Sequence, residues 1–405
     1  MNIAMIFRKL NVGGTQRHAL SVAVELKKQG HAVTLYALYH PTNEGFSDVI
    51  AQFPTISLRK EIHHVPQTKN LFGRIARFFE NIPEENADAR ALARMIDLKT
   101  DILNPHHDPF TYKTAYYYKK YVRQIPSIWM MNDLTTKYGS FMRAHALHPE
   151  RKLSMGRRIA YALFDWWEMR FIRNQDAIMA LDQRDADWAQ QYFHTPATVV
   201  HSGIDADQFP YHEHKSVPKD GEIKLLMVGI FFEHRRFEDT LDAMAILKKE
   251  GYRPRLTLIG RMQDQRYYDV IEKKIFALNL EDDVRRMGSV SEEALRSAYK
   301  EHDIFIFPSH MQSWGIAVVE AMASGIPVIV SRTTGAADVL ADGDNALLVN
   351  PKSPQEIAAA IKRLVRDPEL FRDMPRRARA FVETSLTWSV CADKFLACFE
   401  AVMKL

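Results

Sequence analysis

A chain of 405 residues exceeds what one hydrophobic core ordinarily serves, so two domains are expected. A hydrophobic share of 46%, a charged share of 26%, 17 Gly and 18 Pro exclude disordered, collagenous and low-complexity classes. No apolar run approaches the roughly eighteen residues of a membrane span, and Arg8 and Lys9 interrupt the first one before a signal-peptide core could form. With Cys391 and Cys398 seven apart on one helical face, too distant for a bridge, the expectation is a cytoplasmic chain with reduced thiols.

The net charge of +4 is uneven: residues 1–200 carry +7 and residues 201–405 carry −3. The basic half is therefore expected to face something acidic. The excess concentrates in 111–173, at +8, where Tyr116, Tyr121, Trp129, Trp166, Trp167 and Phe171 interleave with the charge.

In chain order, NIAMIF predicts a strand, NVGG a turn, QRHALSVAVELKKQG a helix ended by Gly30, and HAVTLYAL a second strand, which together make a βαβ unit. Short apolar runs of the kind that fill a parallel sheet recur at 101–104, 127–131, 177–181 and 198–203. The rhythm restarts after the polar stretch 212–222, with strands at IKLLMVG, RLTLIG, DIFIFPS, PVIVS and ALLVN. Ser353, Pro354 and Glu356 predict a capping box opening a helix whose stripe is Ile357, Ala360, Ile361, Leu364 and Val365. The pattern predicts two doubly wound, Rossmann-like α/β domains facing each other across a cleft. The expected division is 1–203, joined by the C-terminal helix 388–405, against 204–387.

Ligands of such sheets sit at the carboxyl ends of the strands, which directs attention to four loops. Gly13 and Gly14 let backbone approach a ligand and open a helix N-terminus toward phosphate, although a Gly pair there also serves tight packing alone. NPHHDPF places His106, His107 and Asp108 on a rigid turn; adjacent histidines point apart, so at most one faces a ligand, and an exposed or capping histidine is the structural alternative. Arg235 and Arg236 stand at a helix start, where cations are favoured only if an anion binds; the alternative is pairing with Glu233 or Glu238. In PSHMQSWGIAVVEAMASGIPVIVS, the amides of Gly315 and Ile316 suit phosphate, and Glu320, one turn on, suits the two hydroxyls of a ribose. No metal motif is present in these loops.

These residues resemble the retaining nucleotide-sugar glycosyltransferases of family 4, which have the GT-B fold. Seven fragments carry the resemblance in order: VGGTQRH, DILNPHHDP, HSGIDADQF, VGIFFEHRRFED, LIGR, FIFPSHMQSWGIAVVEAMASGIPVIVS and DGDNALLV. The resemblance implies that Gly13 and Gly14 lie against the donor diphosphate or sugar, and that His106, or His107 by a shift of one, is the N-domain histidine near the sugar. It further implies that Arg235, with Arg236 beside it, binds diphosphate and that Glu320 binds ribose. In two places the chain departs from the family: Gln312 stands for the first Glu of the Glu, seven residues, Glu motif, and Ile230 for the Arg after Val-Gly. Gln keeps hydrogen bonding without charge.

The implied activity is metal-independent, cofactor-free transfer of a hexosyl group from a UDP- or GDP-type sugar to a glycan, lipid-linked or polysaccharide acceptor. A sugar-nucleotide epimerase or hydrolase, or a nucleotide-sugar-binding protein without turnover, are the alternatives. Residues 154–175 predict a helix with Ala160, Leu163, Phe164, Trp167 and Phe171 on one face and Arg157, Arg158 and Arg173 elsewhere. It reads either as a peripheral contact with anionic lipid or as a helix packed on the first sheet with a solvated basic side. Nucleic acid is not expected, since no binding module accompanies the charge.

Overall fold

The computed structural model describes residues 1–10, 13–40, 46–59, 71–133, 154–213, 217 and 221–404. They form two compact units, Met1–His201 with Trp388–Leu405, and Ser202–Thr387.

In the first unit, strands β1 (Asn2–Lys9), β2 (Ala32–Tyr39), β3 (Thr55–Arg59) and β4 (Ile102–Pro105) pair in the order β3-β2-β1-β4, all parallel. Strands β5 (Ile128–Met131), β6 (Ala177–Ala180) and β7 (Ala197–Val199) form a second parallel set. Bridges Leu103–Ser127 and His106–Met130 join β4 to β5. Strand order therefore reverses between β1 and β4, the place where such sheets open for a ligand. Helices α1 (Gly14–Lys28), α2 (Ser47–Ile50), α3 (Leu71–Met95), α4 (Pro109–Tyr121), α5 (Met155–Ile172) and α6 (Gln183–Phe193) make the crossovers. Continuous apolar runs such as Ile128–Met131 are buried throughout, as expected of strands covered on both faces.

The second unit repeats the plan. Strands β8 (Glu222–Val228), β9 (Arg253–Ile259), β10 (Val284–Gly288), β11 (Ile304–Phe307), β12 (Val328–Ser331) and β13 (Leu347–Val349) pair in the order β10-β9-β8-β11-β12-β13, again parallel. Its helices are α7 (Phe237–Lys249), α8 (Gln265–Ala277), α9 (Glu292–Glu301), α10 (Ile316–Ser324), α11 (Pro354–Arg366) and α12 (Pro368–Ser385). Leu225, Leu241, Leu258, Ile304 and Ile361 belong to its buried core. Each such side chain contributes about 1.5–3 kcal/mol on leaving water.

The last helix, α13 (Trp388–Met403), packs on α1 of the first unit. Gln29 Nε2 donates to Asp393 Oδ1 at 2.7 Å, and Trp388 and Phe395 meet the ring of His18.

Two local expectations are corrected. Ser353 is the N-cap residue of α11 and Pro354 its first residue, yet the serine makes no side-chain cap bond; Glu356 instead accepts from the amide and Nδ2 of Asn350, at 2.8 and 2.9 Å. Asn350 thus supplies the donors a capping box would have taken from Ser353. In α5 the buried side is not the one centred on Ala160, Leu163 and Trp167: Ala160 and Leu163 are exposed, while Asp165 and Glu168 are buried beside Phe171 and Ile172. Glu168 is drawn inward by Lys113 Nζ at 2.7 Å and the Tyr112 hydroxyl at 2.7 Å, and Asp165 accepts from the Tyr192 hydroxyl at 3.1 Å. Partnered carboxylates can outcompete apolar residues for an interior face, and a hydrophobic pattern does not register them.

Candidate functional site

The second unit gathers three loops at the carboxyl ends of β8, β11 and β12. Gly229 leaves β8, its amide bonded to Ile259 O at 2.8 Å, and a Cβ on neighbouring Gly260 would overlap the Gly229 carbonyl. Only glycine lets these two strand ends approach so closely. A short turn, Glu233–Arg235, follows, and Arg236 takes a left-handed conformation, φ 57°, before α7.

The two arginines part company. Arg235 lies across the ends of β8 and β11: its guanidinium carbon is 5.3 Å from the Phe307 ring centroid, and its Nε lies about where a Gly229 side chain would touch it, at 3.5 Å. Arg236 turns back into its own helix, with Nη1 2.6 Å from Glu238 Oε1 and Nη2 2.6 Å from Asp239 Oδ1. Asp239 Oδ2 also accepts the Lys352 amide at 3.1 Å, so Arg236 belongs to a local knot of charge.

The β11 loop is held from both sides. The His310 amide donates to His234 O at 2.7 Å, joining it to the β8 loop. Gln312 O accepts the Gly335 amide at 2.7 Å, Trp314 O accepts the Ala336 amide at 2.9 Å, and the Thr334 hydroxyl donates to Ser309 O at 3.2 Å, joining it to the loop after β12. Gln312 keeps a half-buried side chain on this loop. Gly315, at φ 88°, caps α10 without a side-chain bond; a Cβ there would come 2.9 Å from the Phe307 ring and 3.1 Å from Thr334 Cγ2. The amides of Gly315, Ile316 and Ala317 thus stand at a helix start that no side chain caps, and the peptide dipoles give that start positive character.

Glu320 sits one turn into α10 and is 6% exposed. Its Oε2 accepts from the Tyr299 hydroxyl at 3.0 Å. Burial, then the Glu320 carboxylate, hold the Tyr299 phenol well above its ordinary pKa, so it remains a donor.

In the first unit, Gly13 is extended and Gly14 opens α1; a side chain on Gly13 would collide with Gln16, whose amide donates to Lys9 O at 3.1 Å. His106 is 2% exposed and closed in, its ring stacked 5.1 Å from Phe7 and 6.4 Å from Phe395. Because Asn104 Nδ2 donates to Ile128 O, Asn104 Oδ1 is the acceptor for His106, and the imidazole proton therefore resides on Nε2, 2.8 Å away. Burial, then His18 and His107, push its pKa well below the usual range, so the ring is neutral. His107 occupies the turn at φ 61°, half-buried, its amide on Met130 O at 2.8 Å. Asp108 caps α4 through the Phe110 amide and pairs with Arg8 at 3.1 Å. The structure thus separates the two histidines into an interior one and a rim one.

Sequence reasoning passed over Tyr299, Thr334 and His18. His18 had a signal, a polar residue on the apolar face of α1 four positions after Gly14; Tyr299 had none, since its partner lies in another helix. Among the described residues no group of three or more His, Cys, Asp or Glu side chains is placed to hold a metal ion, and no helix is long and apolar enough to cross a membrane.

Residues 210–381 match the family of glycosyl transferases group 1, and residues 12–208 match glycosyltransferase family 4. A curated relative, glycogen synthase of Mycobacterium tuberculosis, is 24% identical over 238 residues, covering 58% of this chain and 55% of that one. The chain thus matches little more than half the length of that relative. Among solved structures, sucrose-phosphate synthase from Thermosynechococcus elongatus superposes with a TM-score of 0.73 at 18% identity over 100% of both chains. Anabaena HepE in complex with UDP-glucose gives 0.66 at 16% identity over 99% of this chain and 100% of that one. At such identities the superpositions establish the shared fold, that of the GT-B glycosyltransferases. Two family matches that together run through both units place this chain among the glycosyltransferases of family 4.

Proposed function

We propose that this chain transfers a hexosyl group, with retention of anomeric configuration, from a nucleoside diphosphate sugar to a glycan, lipid-linked or polysaccharide acceptor. The observation that carries the reading is Arg235, laid across the switch point of the second sheet, where the start of α10 is capped by no side chain. Departure of the nucleoside diphosphate concentrates negative charge on its leaving oxygen, and a fixed guanidinium and aligned amides stabilise that charge without reorganising. Glu320 one turn later suits the ribose hydroxyls, which would place the nucleoside on the α10 side of the diphosphate. Gly13, Gly14 and His106 or His107 are the groups of the first unit assigned to the sugar. Gln312 is assigned to the reacting end, where it hydrogen-bonds without supplying charge. Arg236, engaged by Glu238 and Asp239, supports the donor site by holding the turn that carries Arg235 to the start of α7 rather than by a direct contact with the diphosphate. The UDP-glucose carried by the Anabaena neighbour supports a UDP-type donor, and no step of the proposed chemistry calls for a metal.

The test is calorimetric titration of the purified chain with UDP, GDP, ADP and their sugar conjugates, first with chelator and then with Mg²⁺. Selective binding of one nucleoside diphosphate without metal is expected. Binding to none of them would overturn the donor site. Free or epimerised sugar formed without acceptor would move the activity to hydrolysis or epimerisation, and tight binding with no turnover would make Gln312 and Ile230 the marks of a binding protein.

A further inference from the structure

Helix α5 has two apolar sides, and the outer one is exposed. Its inner side carries Phe171 and Ile172 into the core and turns both of its carboxylates, Asp165 and Glu168, inward, each 2% exposed. On the outer side Met155, Ile159, Leu163 and Trp166 follow one another at spacings of four, four and three, which align them along one helix face. They are 69, 54, 62 and 73% exposed. A soluble helix ordinarily keeps such a stripe on its buried side, and four large apolar residues in line on the exposed side mark a contact surface.

Charge identifies what that surface meets. Arg158, Arg170 and Arg173 are exposed, and the acidic residues of α5 are withdrawn into the interior with their own partners. The outer side of the helix is therefore apolar along its crest and solely basic among its charges. The Arg170 guanidinium lies 3.4 Å from the Trp167 ring centroid, which holds a cation at the flank of the stripe. A protein partner or a second copy would call for mixed or acidic complementarity at several discrete points. A Trp, Leu and Ile crest flanked by arginines instead suits the boundary between acyl chains and anionic headgroups, where apolar burial and headgroup attraction add.

We propose that α5 docks the chain on an anionic lipid surface, with Met155, Ile159, Leu163 and Trp166 entering the acyl boundary and Arg158 and Arg170 meeting phosphate headgroups. The helix lies in the interface plane and does not span it. Its inward carboxylates, held by Lys113, Tyr112 and Tyr192, fix the rotation of the helix so that this face stays outward. The proposal stands apart from the donor assignment, which rests on the second unit.

The test is flotation of the full chain with vesicles of phosphatidylcholine alone and of phosphatidylcholine mixed with phosphatidylglycerol. Binding only to the anionic vesicles, weakened by salt, is expected. The double variant Ile159→Ser with Trp166→Ser should lose about tenfold or more in partition, and Arg158→Glu should weaken binding to the anionic vesicles at low salt and make it less sensitive to added salt. All four apolar positions are exposed, so folding should survive; an unchanged thermal midpoint and unchanged calorimetric UDP binding serve as controls. Equal partition of parent and double variant, equal binding to neutral vesicles, or no binding at all would overturn the proposal. A parent that sediments as a dimer and a double variant that sediments as a monomer would overturn it too, in favour of an interface between copies.

Discussion

The Tyr299 hydroxyl donates to Glu320 Oε2 at 3.0 Å, so a phenol on α9 sets the direction in which the buried carboxylate of α10 presents itself. The tyrosine ring is itself fixed edge-on by Phe305 at 5.8 Å and Phe209 at 6.2 Å. Orientation of the proposed ribose ligand is therefore a property of the packed core of the second unit.

Replacing Tyr299 by Phe keeps those ring contacts and removes one hydrogen bond to a charged acceptor, an interaction of about 1.5–3 kcal/mol. Nucleoside diphosphate affinity should fall roughly tenfold in calorimetry, with Glu320→Ala falling further. If Glu320→Ala bound donor as tightly as the parent, the ribose assignment would be lost whatever the behaviour of Tyr299→Phe.

The two arginines should separate in experiment as they do in space. Arg235→Ala should weaken binding of the nucleoside diphosphate much more than that of the free nucleoside, since its guanidinium lies at the strand ends with Phe307. Arg236→Ala should chiefly lower the unfolding midpoint, because Asp239, 2% exposed, would lose its cation. Breaking such a buried pair from one side costs about 3–5 kcal/mol. Equal losses of nucleoside and nucleoside diphosphate affinity in Arg235→Ala would refute its phosphate role.

Gly315 offers a steric test of the loop. Its φ of 88° and the 2.9 Å approach of a virtual Cβ to Phe307 mean that Gly315→Ala must both strain the backbone and push an aromatic ring. A loss of roughly 1–2 kcal/mol from the left-handed backbone alone is expected in urea unfolding, together with weaker nucleotide binding. Parent-like stability would show that the turn relaxes without cost.

These features differ in how far the sequence disclosed them. Inner strands such as Ile128–Met131 and Ile304–Phe307 are unbroken apolar runs because both faces are covered, and they are legible for that reason. The edge strands β3 and β10 were not: Thr55–Arg59 is half-buried along its length, and Val284–Gly288 carries two exposed arginines, as edges do to avoid pairing with another chain. The Gly315 turn and Glu320 could be placed from strand, turn and helix signals alone. Pairing with Glu238 stood among the alternatives for the two arginines, and Arg236 takes it, but the share of Asp239, which also accepts the Lys352 amide, emerges only once α7 and the segment after β13 are packed. The rotation of α5 was hidden likewise, since it is decided by Lys113, Tyr112 and Tyr192 rather than by its own apolar pattern.

Acid should destabilise the first unit through two interior histidines. His18 is fully enclosed by Trp388, Phe395 and its own helix, and burial lowers its pKa from 6.5 to about 4; His106 is lowered in the same direction by burial and by His18. Both rings are neutral when folded, whereas the unfolded chain protonates them below about pH 6.5. Their contribution is therefore complete above pH 6.5 and is lost progressively as pH falls toward 4, by on the order of 3 kcal/mol for His18. Urea midpoints measured across that window should fall steeply for the parent and less steeply for His18→Phe, whose ring suits the same aromatic niche and takes up no proton. Parallel pH profiles for the two proteins would show that His18 is protonated in the folded state and that the enclosure by α13 does not exclude charge.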